Sequence, residues 1–242
     1  MQPRTLNTSA AGARLVLTCE HASPAVPDEY ACLGLTAERL HDHIGWDIGA
    51  AIVTEELSRQ LQVPAVLSGA SRLLVDCNRD LGDHDLIPSA SHGVPIPGNA
   101  AIDPGDRAER LSRFYDPFHA AVDSALQARP DAFLLSVHSF TPELNGSVRP
   151  FDIGVLHDDF EPLARGFAAR IAAGAFTVRL NEPYSGLEGL IFSARSHGRR
   201  HAVRYLEIEI NNRLLRVDAD ARAVAGRLVE AVASLVDACS ER

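Results

Sequence analysis

Two short, nearly unbroken apolar runs that close on polar clusters constrain this chain most: Leu15-Val16-Leu17-Thr18-Cys19-Glu20-His21 and Phe133-Leu134-Leu135-Ser136-Val137-His138-Ser139; near the end, Tyr205-Leu206-Glu207-Ile208-Glu209-Ile210-Asn211-Asn212 places carboxylates inside a strand pattern. Runs of this kind read as strands buried on both faces, the state of a parallel sheet covered by helices. Further strands are expected over 63–67, 72–76, 153–156 and 177–180, with the first over 13–18 and the last over 203–210. Helical spacing or helix punctuation appears from His43 or Trp46 to Leu61, from Asp106 to Ala128, and over 161–173, 189–196 and 218–239. The alternation predicts one domain over 1–242, a three-layer α/β/α fold around a mixed, mainly parallel sheet. Gly82 to Pro104 is long and irregular, and a loop of that length suggests a cover over a site.

A net charge of −9 argues against a nucleic-acid partner or an anionic membrane surface, which call for a basic face. No apolar stretch approaches the roughly 20 residues of a membrane span, and Met1 to Gly12 lacks the apolar core of a secretory signal, so a cytoplasmic protein is expected. Cys19, Cys32, Cys77 and Cys239 are widely spaced, without a CxxC pair, and read as free thiols.

In open parallel sheets ligands collect beyond the carboxyl ends of the strands. His21, Asn78, Arg79 and His138 fall there on this reading. Two imidazoles and one carboxylate with an open position make a catalytic zinc site, so His21 and His138 are expected to hold a metal. The carboxylate should come from His41-Asp42-His43-Ile44-Gly45-Trp46-Asp47, with Asp47 preferred and His43 its competitor. Glu20 is better placed to orient a ligand than to bind the same ion. Arg72, Asn78 and Arg79 suit a substrate carboxylate or a developing oxyanion, unless Asp76 or Asp80 engages them structurally. Glu207 and Glu209 lie two apart on one strand face, where buried carboxylates are costly unless paired or functional.

Taken in order, Cys19-Glu20-His21-Ala22-Ser23, His43-Ile44-Gly45-Trp46-Asp47, Ser71-Arg72-Leu73-Leu74-Val75-Asp76-Cys77-Asn78-Arg79, Val94-Pro95-Ile96-Pro97-Gly98-Asn99, Val137-His138-Ser139-Phe140, Asn181-Glu182-Pro183-Tyr184-Ser185-Gly186 and Glu209-Ile210-Asn211-Asn212 resemble the N-formylglutamate amidohydrolase family. The resemblance implies a phosphorylase/hydrolase-like α/β fold and a zinc hydrolase similar to zinc carboxypeptidases and aspartoacylases. It implies metal binding by His21 and His138, substrate or oxyanion contacts from Arg72, Asn78 and Arg79, and Glu209 as base and proton shuttle. Ser139, Tyr184, Ser185 and His197 would line the substrate pocket. The carboxypeptidase pattern carries its metal carboxylate three residues after the first histidine, where this chain has Pro24, so the third ligand stays open between Asp47 and His43. The implied substrate is a small N-formyl or N-acyl amino acid such as N-formylglutamate. Two other readings are a metal-free binding module for a small acidic ligand, using Arg72, Asn78 and Arg79, and an amide hydrolase using Cys19 or Cys77.

Overall fold

The computed structural model describes residues 1–10 and 12–238. In chain order the strands are β1 (Arg4–Leu6), β2 (Leu15–Cys19), β3 (Ala65–Leu67), β4 (Ala90–Ser91), β5 (Val94–Pro95), β6 (Phe133–Phe140), β7 (Glu143–Leu144), β8 (Ser147–Val148), β9 (Ile153–Leu156), β10 (Val178–Leu180) and β11 (Tyr205–Asn211). The helices are α1 (Ala37–Leu40), α2 (Ala50–Leu61), α3 (Pro104–Arg110), α4 (Asp116–Gln127), α5 (Glu161–Ala173), α6 (Phe192–Arg200) and α7 (Asp218–Ala238). The main sheet has the order β1-β3-β2-β6-β11-β9-β10. Its centre is parallel, β3 to β2 to β6 to β11, so these strands end on the same side. β1 is antiparallel at one edge, and the parallel pair β9–β10 meets β11 antiparallel at the other.

Successive side chains on a strand face opposite ways, and the two faces of the central strands differ in kind. One face carries Leu15, Leu17 and Cys19, Leu135 and Val137, and Leu206, Ile208 and Ile210, packed with α2, α5 and α7 into one apolar core. The other face begins apolar with Val16, Leu134 and Tyr205, which join α4 and the 70–77 segment in a second core. Toward the carboxyl ends it turns polar with Glu20, Ser136, His138, Glu207 and Glu209, all buried. In register, Ser136 neighbours Glu207 and His138 neighbours Glu209. The three-layer α/β expectation therefore holds, with the buried polar residues gathered on one half of one face.

Several local expectations do not hold. Segment 72–76 is a turn rather than a strand: Leu74 N donates to Ser71 O, and Ser71 Oγ donates to Gly45 O at 2.8 Å. Its apolar residues reflect burial in the second core. α2 starts at Ala50, after irregular backbone through the glycine-containing 41–49 segment; Gly49, at φ +80°, occupies a conformation that favours glycine. The long helix over 106–128 is α3 and α4 joined through a π turn at Leu111–Tyr115. Pro117 in the first turn of α4 has no N–H to continue the ladder, which explains the break. Asp103 caps α3, its Oδ1 accepting from Gly105 N and Asp106 N. α6 runs over 192–200 rather than 189–196, because Gly189 closes a preceding turn at φ +85°. The 82–104 segment contains the β4–β5 hairpin and a 3-10 turn at Pro97–Asn99. Cys239, the expected end of α7, lies outside the described residues. No helix among the described residues is long and apolar enough to cross a membrane.

Gly154 of β9 shows how closely the sheet is packed beside the polar cluster. A Cβ there would lie 2.0 Å from Glu182 O and 3.5 Å from Glu209 Cβ. Gly154→Ala should therefore cost about 1–3 kcal/mol of stability, read as a lower denaturant midpoint at unchanged m-value. An unchanged midpoint would show that β9 yields freely at this point.

Candidate active site

The turn after β2 carries His21, whose backbone O accepts from Asp47 N at 3.0 Å. That bond brings the 41–49 segment against the strand ends. His138 comes from β6, and its Nδ1 lies 2.7 Å from Asp47 Oδ2; His21 Nδ1 lies 3.4 Å from the same oxygen. Ser139 N also donates to Asp47 Oδ2 at 3.2 Å. The outer nitrogens are held by carboxylates: His21 Nε2 is 2.7 Å from Asp76 Oδ1, and His138 Nε2 is 3.0 Å from Glu20 Oε2. Glu20 is further tied down by Ser136 Oγ at 2.6 Å.

Burial works against charge on Glu20, yet His138 and Ser136 hold its carboxyl down at about 2. Burial likewise opposes ionisation of Asp47, but His21 and His138 keep it well below the usual carboxylate range. Glu207 and Glu209 behave in the opposite way. Burial pushes Glu207 up to about 7 against the pull of His138. Glu209 is raised well above its ordinary value, again chiefly by burial. Glu207 Oε2 accepts from Asn78 Nδ2 at 3.3 Å, whereas Glu209 Oε2 and His21 Nδ1 are buried without a hydrogen-bond partner.

His21, Asp47 and His138 thus offer two nitrogens and one oxygen within 4.8 Å of one another. That donor set fits a divalent metal: His21 Nδ1 has no other partner, and a buried carboxylate backs each imidazole, as in carboxylate–histidine–metal arrangements. His43 is not in the cluster. Its Nδ1 turns to Asp42 Oδ1 at 2.9 Å, leaving its ring on the wall of the cavity.

This cavity, about 140 Å³, is lined by His21, Asp47, His138, Glu207 and Glu209 on the inner side, with Arg72, Asn78, Arg79, Ser139 and Tyr184 around them. A larger hollow of about 360 Å³ lies at the opposite end of the sheet, beside Ala132 and Tyr205 where β6 and β11 begin. It brings together none of the residues expected at the site.

The structure divides the expected anion clamp. Both arms of Arg72 are occupied, Nη1 with Asp47 Oδ1 and Nη2 with Asp76 Oδ2, each at 3.2 Å. Asn78 donates to Glu207, and its Oδ1 accepts from Ser193 N at 2.9 Å. Arg79 is freer, with Asp83 Oδ2 at 3.9 Å, while its backbone O is held by Tyr115 Oη at 2.9 Å.

Ser185 and His197 do not line the cavity. Ser185 O closes a turn by accepting from Glu188 N and Leu190 N. His197 contacts α4, with Nδ1 2.8 Å from Asp123 Oδ1 and Nε2 2.8 Å from His119 Nδ1. Cys19 is buried in the first apolar core and Cys77 in the second, and burial pushes both thiols up, away from the reactive thiolate. Neither lines the cavity.

His92 and Leu190 line the cavity unannounced by any strand-end pattern, and Phe140 and Thr141, at and just after the end of β6, join them. His92 reaches it on the tip of the β4–β5 hairpin, with its ring 5.0 Å from that of His43. The signal available was Ser91-His92-Gly93, a compact turn in which His92 and Gly93 adopt φ +48° and +79°.

The sequence model of the N-formylglutamate amidohydrolase family matches residues 13–216. The crystal structure of a gene product from Agrobacterium tumefaciens aligns with a TM-score of 0.93 at 34% identity, covering 99% of this chain and 96% of that one. An N-formylglutamate amidohydrolase from Ralstonia eutropha aligns with a TM-score of 0.79 at 18% identity, covering 99% of this chain and 98% of that one. The second likeness is one of fold. A sequence search of curated proteins returns no significant match.

Proposed function

Because the chain belongs to the N-formylglutamate amidohydrolase family, we propose that it is a zinc-dependent hydrolase of N-formyl or N-acyl amino acids, with N-formylglutamate the first candidate substrate. The observation that carries the metal reading is the convergence of His21 Nδ1, His138 Nδ1 and Asp47 Oδ2, each imidazole backed by a buried carboxylate. Zinc bound by these residues supplies a Lewis acid and lowers the pKa of a coordinated water toward about 7.

The surrounding side chains divide the remaining work. Glu209 takes the proton of the attacking water on its unpartnered Oε2 and returns it to the leaving nitrogen. Glu207, bonded to Asn78, is a neighbour that sets the field around His138. Arg79 supplies the donors for the developing oxyanion or for a substrate carboxylate. Arg72 positions Asp47 and Asp76 rather than substrate, since both its arms are already engaged. The products are a carboxylic acid, formic acid in the formyl case, and the free amino acid.

The test is a panel of N-formyl, N-acetyl and N-succinyl amino acids with zinc-loaded protein, chelated protein and chelated protein resupplied with zinc. Release of amino acid should be lost on chelation and restored by zinc. Turnover indifferent to chelation would remove the metal from the reaction, and no turnover of any member would remove the hydrolase reading.

Arg79 gives a second check. Arg79→Lys keeps the charge but loses the planar fork, so kcat/KM should fall by about ten- to a hundredfold with little change in melting temperature. Kinetics equal to the parent protein would make Arg79 a structural residue.

A further inference from the structure

We propose that Arg149 forms a second carboxylate subsite at the mouth of the cavity, beside Tyr184 and Phe140, and so selects dicarboxylic N-acyl amino acids. This inference rests on the hydrolase reading above. The inner cavity is poor in available positive charge. Asp47, Glu207 and Glu209 line it, and Arg72 is occupied by Asp47 and Asp76. Arg79 can serve one carboxylate, and a dicarboxylic substrate presents two.

Arg149 meets that need from the rim. Its guanidinium carbon lies 5.2 Å from the centroid of the Tyr184 ring and 5.8 Å from that of Phe140, both of which line the cavity. Its hydrogen bonds to Thr141 are long, 3.4 Å from Nη1 to Thr141 O and to Thr141 Oγ1, and its other contact is with the hydroxyl of Tyr184, itself on the cavity wall. Its side-chain partners among the described residues are Thr141, Phe140 and Tyr184, none of them a carboxylate, although the residue is half-buried. A guanidinium stacked on aromatic rings keeps its hydrogen-bonding edge for a planar anion.

The backbone around Arg149 is anchored to the catalytic strand. Arg149 N donates to Pro142 O at 2.8 Å. Asn211, two residues beyond Glu209 on β11, donates through Nδ2 to Arg149 O at 3.3 Å and to Phe151 O at 3.0 Å. The cation is thereby held at a set place relative to Glu209, as a specificity group requires. On the same cavity wall, His43 Nε2 is buried without a partner, and the His92 imidazole is held below its ordinary value by burial, then by the nearby His43, Arg72 and Arg149.

The experiment compares Arg149→Gln with the parent on N-formylglutamate and N-formylglutamine, which differ only in the side-chain charge. The variant should raise KM for N-formylglutamate by about ten- to a hundredfold, leave its kcat within about threefold, and leave N-formylglutamine unchanged. Arg149→Lys should recover part of the loss. Equal losses on both substrates would make Arg149 a mere support for Tyr184, and no loss on either would leave it outside the site; both outcomes overturn the proposal. Calorimetric binding of glutarate and butyrate to zinc-loaded protein gives a readout that needs no turnover. The parent should prefer glutarate by at least about tenfold and Arg149→Gln should not. Absence of that preference in the parent, or its survival in the variant, overturns the subsite even if hydrolysis is found. Its loss in the variant supports the subsite even if no tested amide is cleaved.

Discussion

Glu209→Gln is expected to yield a folded protein that still takes up zinc and substrate but turns over about 100- to 10,000-fold more slowly. The expectation follows from geometry: Glu209 Oε2 is buried without a partner on the cavity wall, and glutamine keeps the shape of the side chain while losing its ability to accept a proton. Glu207 supplies the contrast. It is bonded to Asn78 and lies 3.6 Å from His138 Nε2, so Glu207→Gln should disturb the surroundings of His138 and retain much more activity. Zinc content, circular dichroism and steady-state kinetics on both variants decide the matter. A dead Glu207→Gln beside an active Glu209→Gln would shift the proton role two residues back along β11.

His21→Ala and His138→Ala should each empty the metal site and abolish measurable turnover while the fold survives. Fold survival is expected because both apolar cores are built from other residues. A graded control comes from Asp76→Asn, which leaves all donors in place but weakens the carboxylate behind His21. It should lower zinc affinity by about ten- to a hundredfold. Zinc per chain after dialysis, read beside the circular dichroism spectrum, checks the three variants together. Stoichiometric zinc in either alanine variant would take that histidine out of the metal shell.

What the sequence revealed depended on how local each signal was. His21 and His138 close apolar runs and Glu209 sits on the polar face of an alternating strand, signals that place all three near the sheet's carboxyl edge. Their gathering in one cavity was legible for that reason. Asp47 was legible by residue type, but its placement depends on a backbone bond to His21 that no periodicity announces. Segment 72–76 misled because burial in a turn and burial in a strand give the same apolar composition. His197 was placed at the pocket by the resemblance alone; it lies on α6, where its ring meets Asp123 of α4 instead. β1 carried too little apolar pattern in Arg4-Thr5-Leu6 to be seen, and it pairs only as an antiparallel edge. His92 and Arg149 reach the site through short excursions whose destination is set by the assembled sheet.

The two unlike faces of the central strands have a consequence for how this protein can change. On β11, Leu206, Ile208 and Ile210 hold the sheet to its helices, while the alternating Glu207 and Glu209 line the cavity and Asn211 fixes the backbone beside it. Adhesion and reactivity are thus assigned to alternate positions of one segment, and a change at one set leaves the other's contacts in place. On the hydrolase reading proposed above, such a chain can explore new acyl groups or new leaving amines by exchanging polar residues at the carboxyl ends of three strands, with its architecture retained beneath every trial.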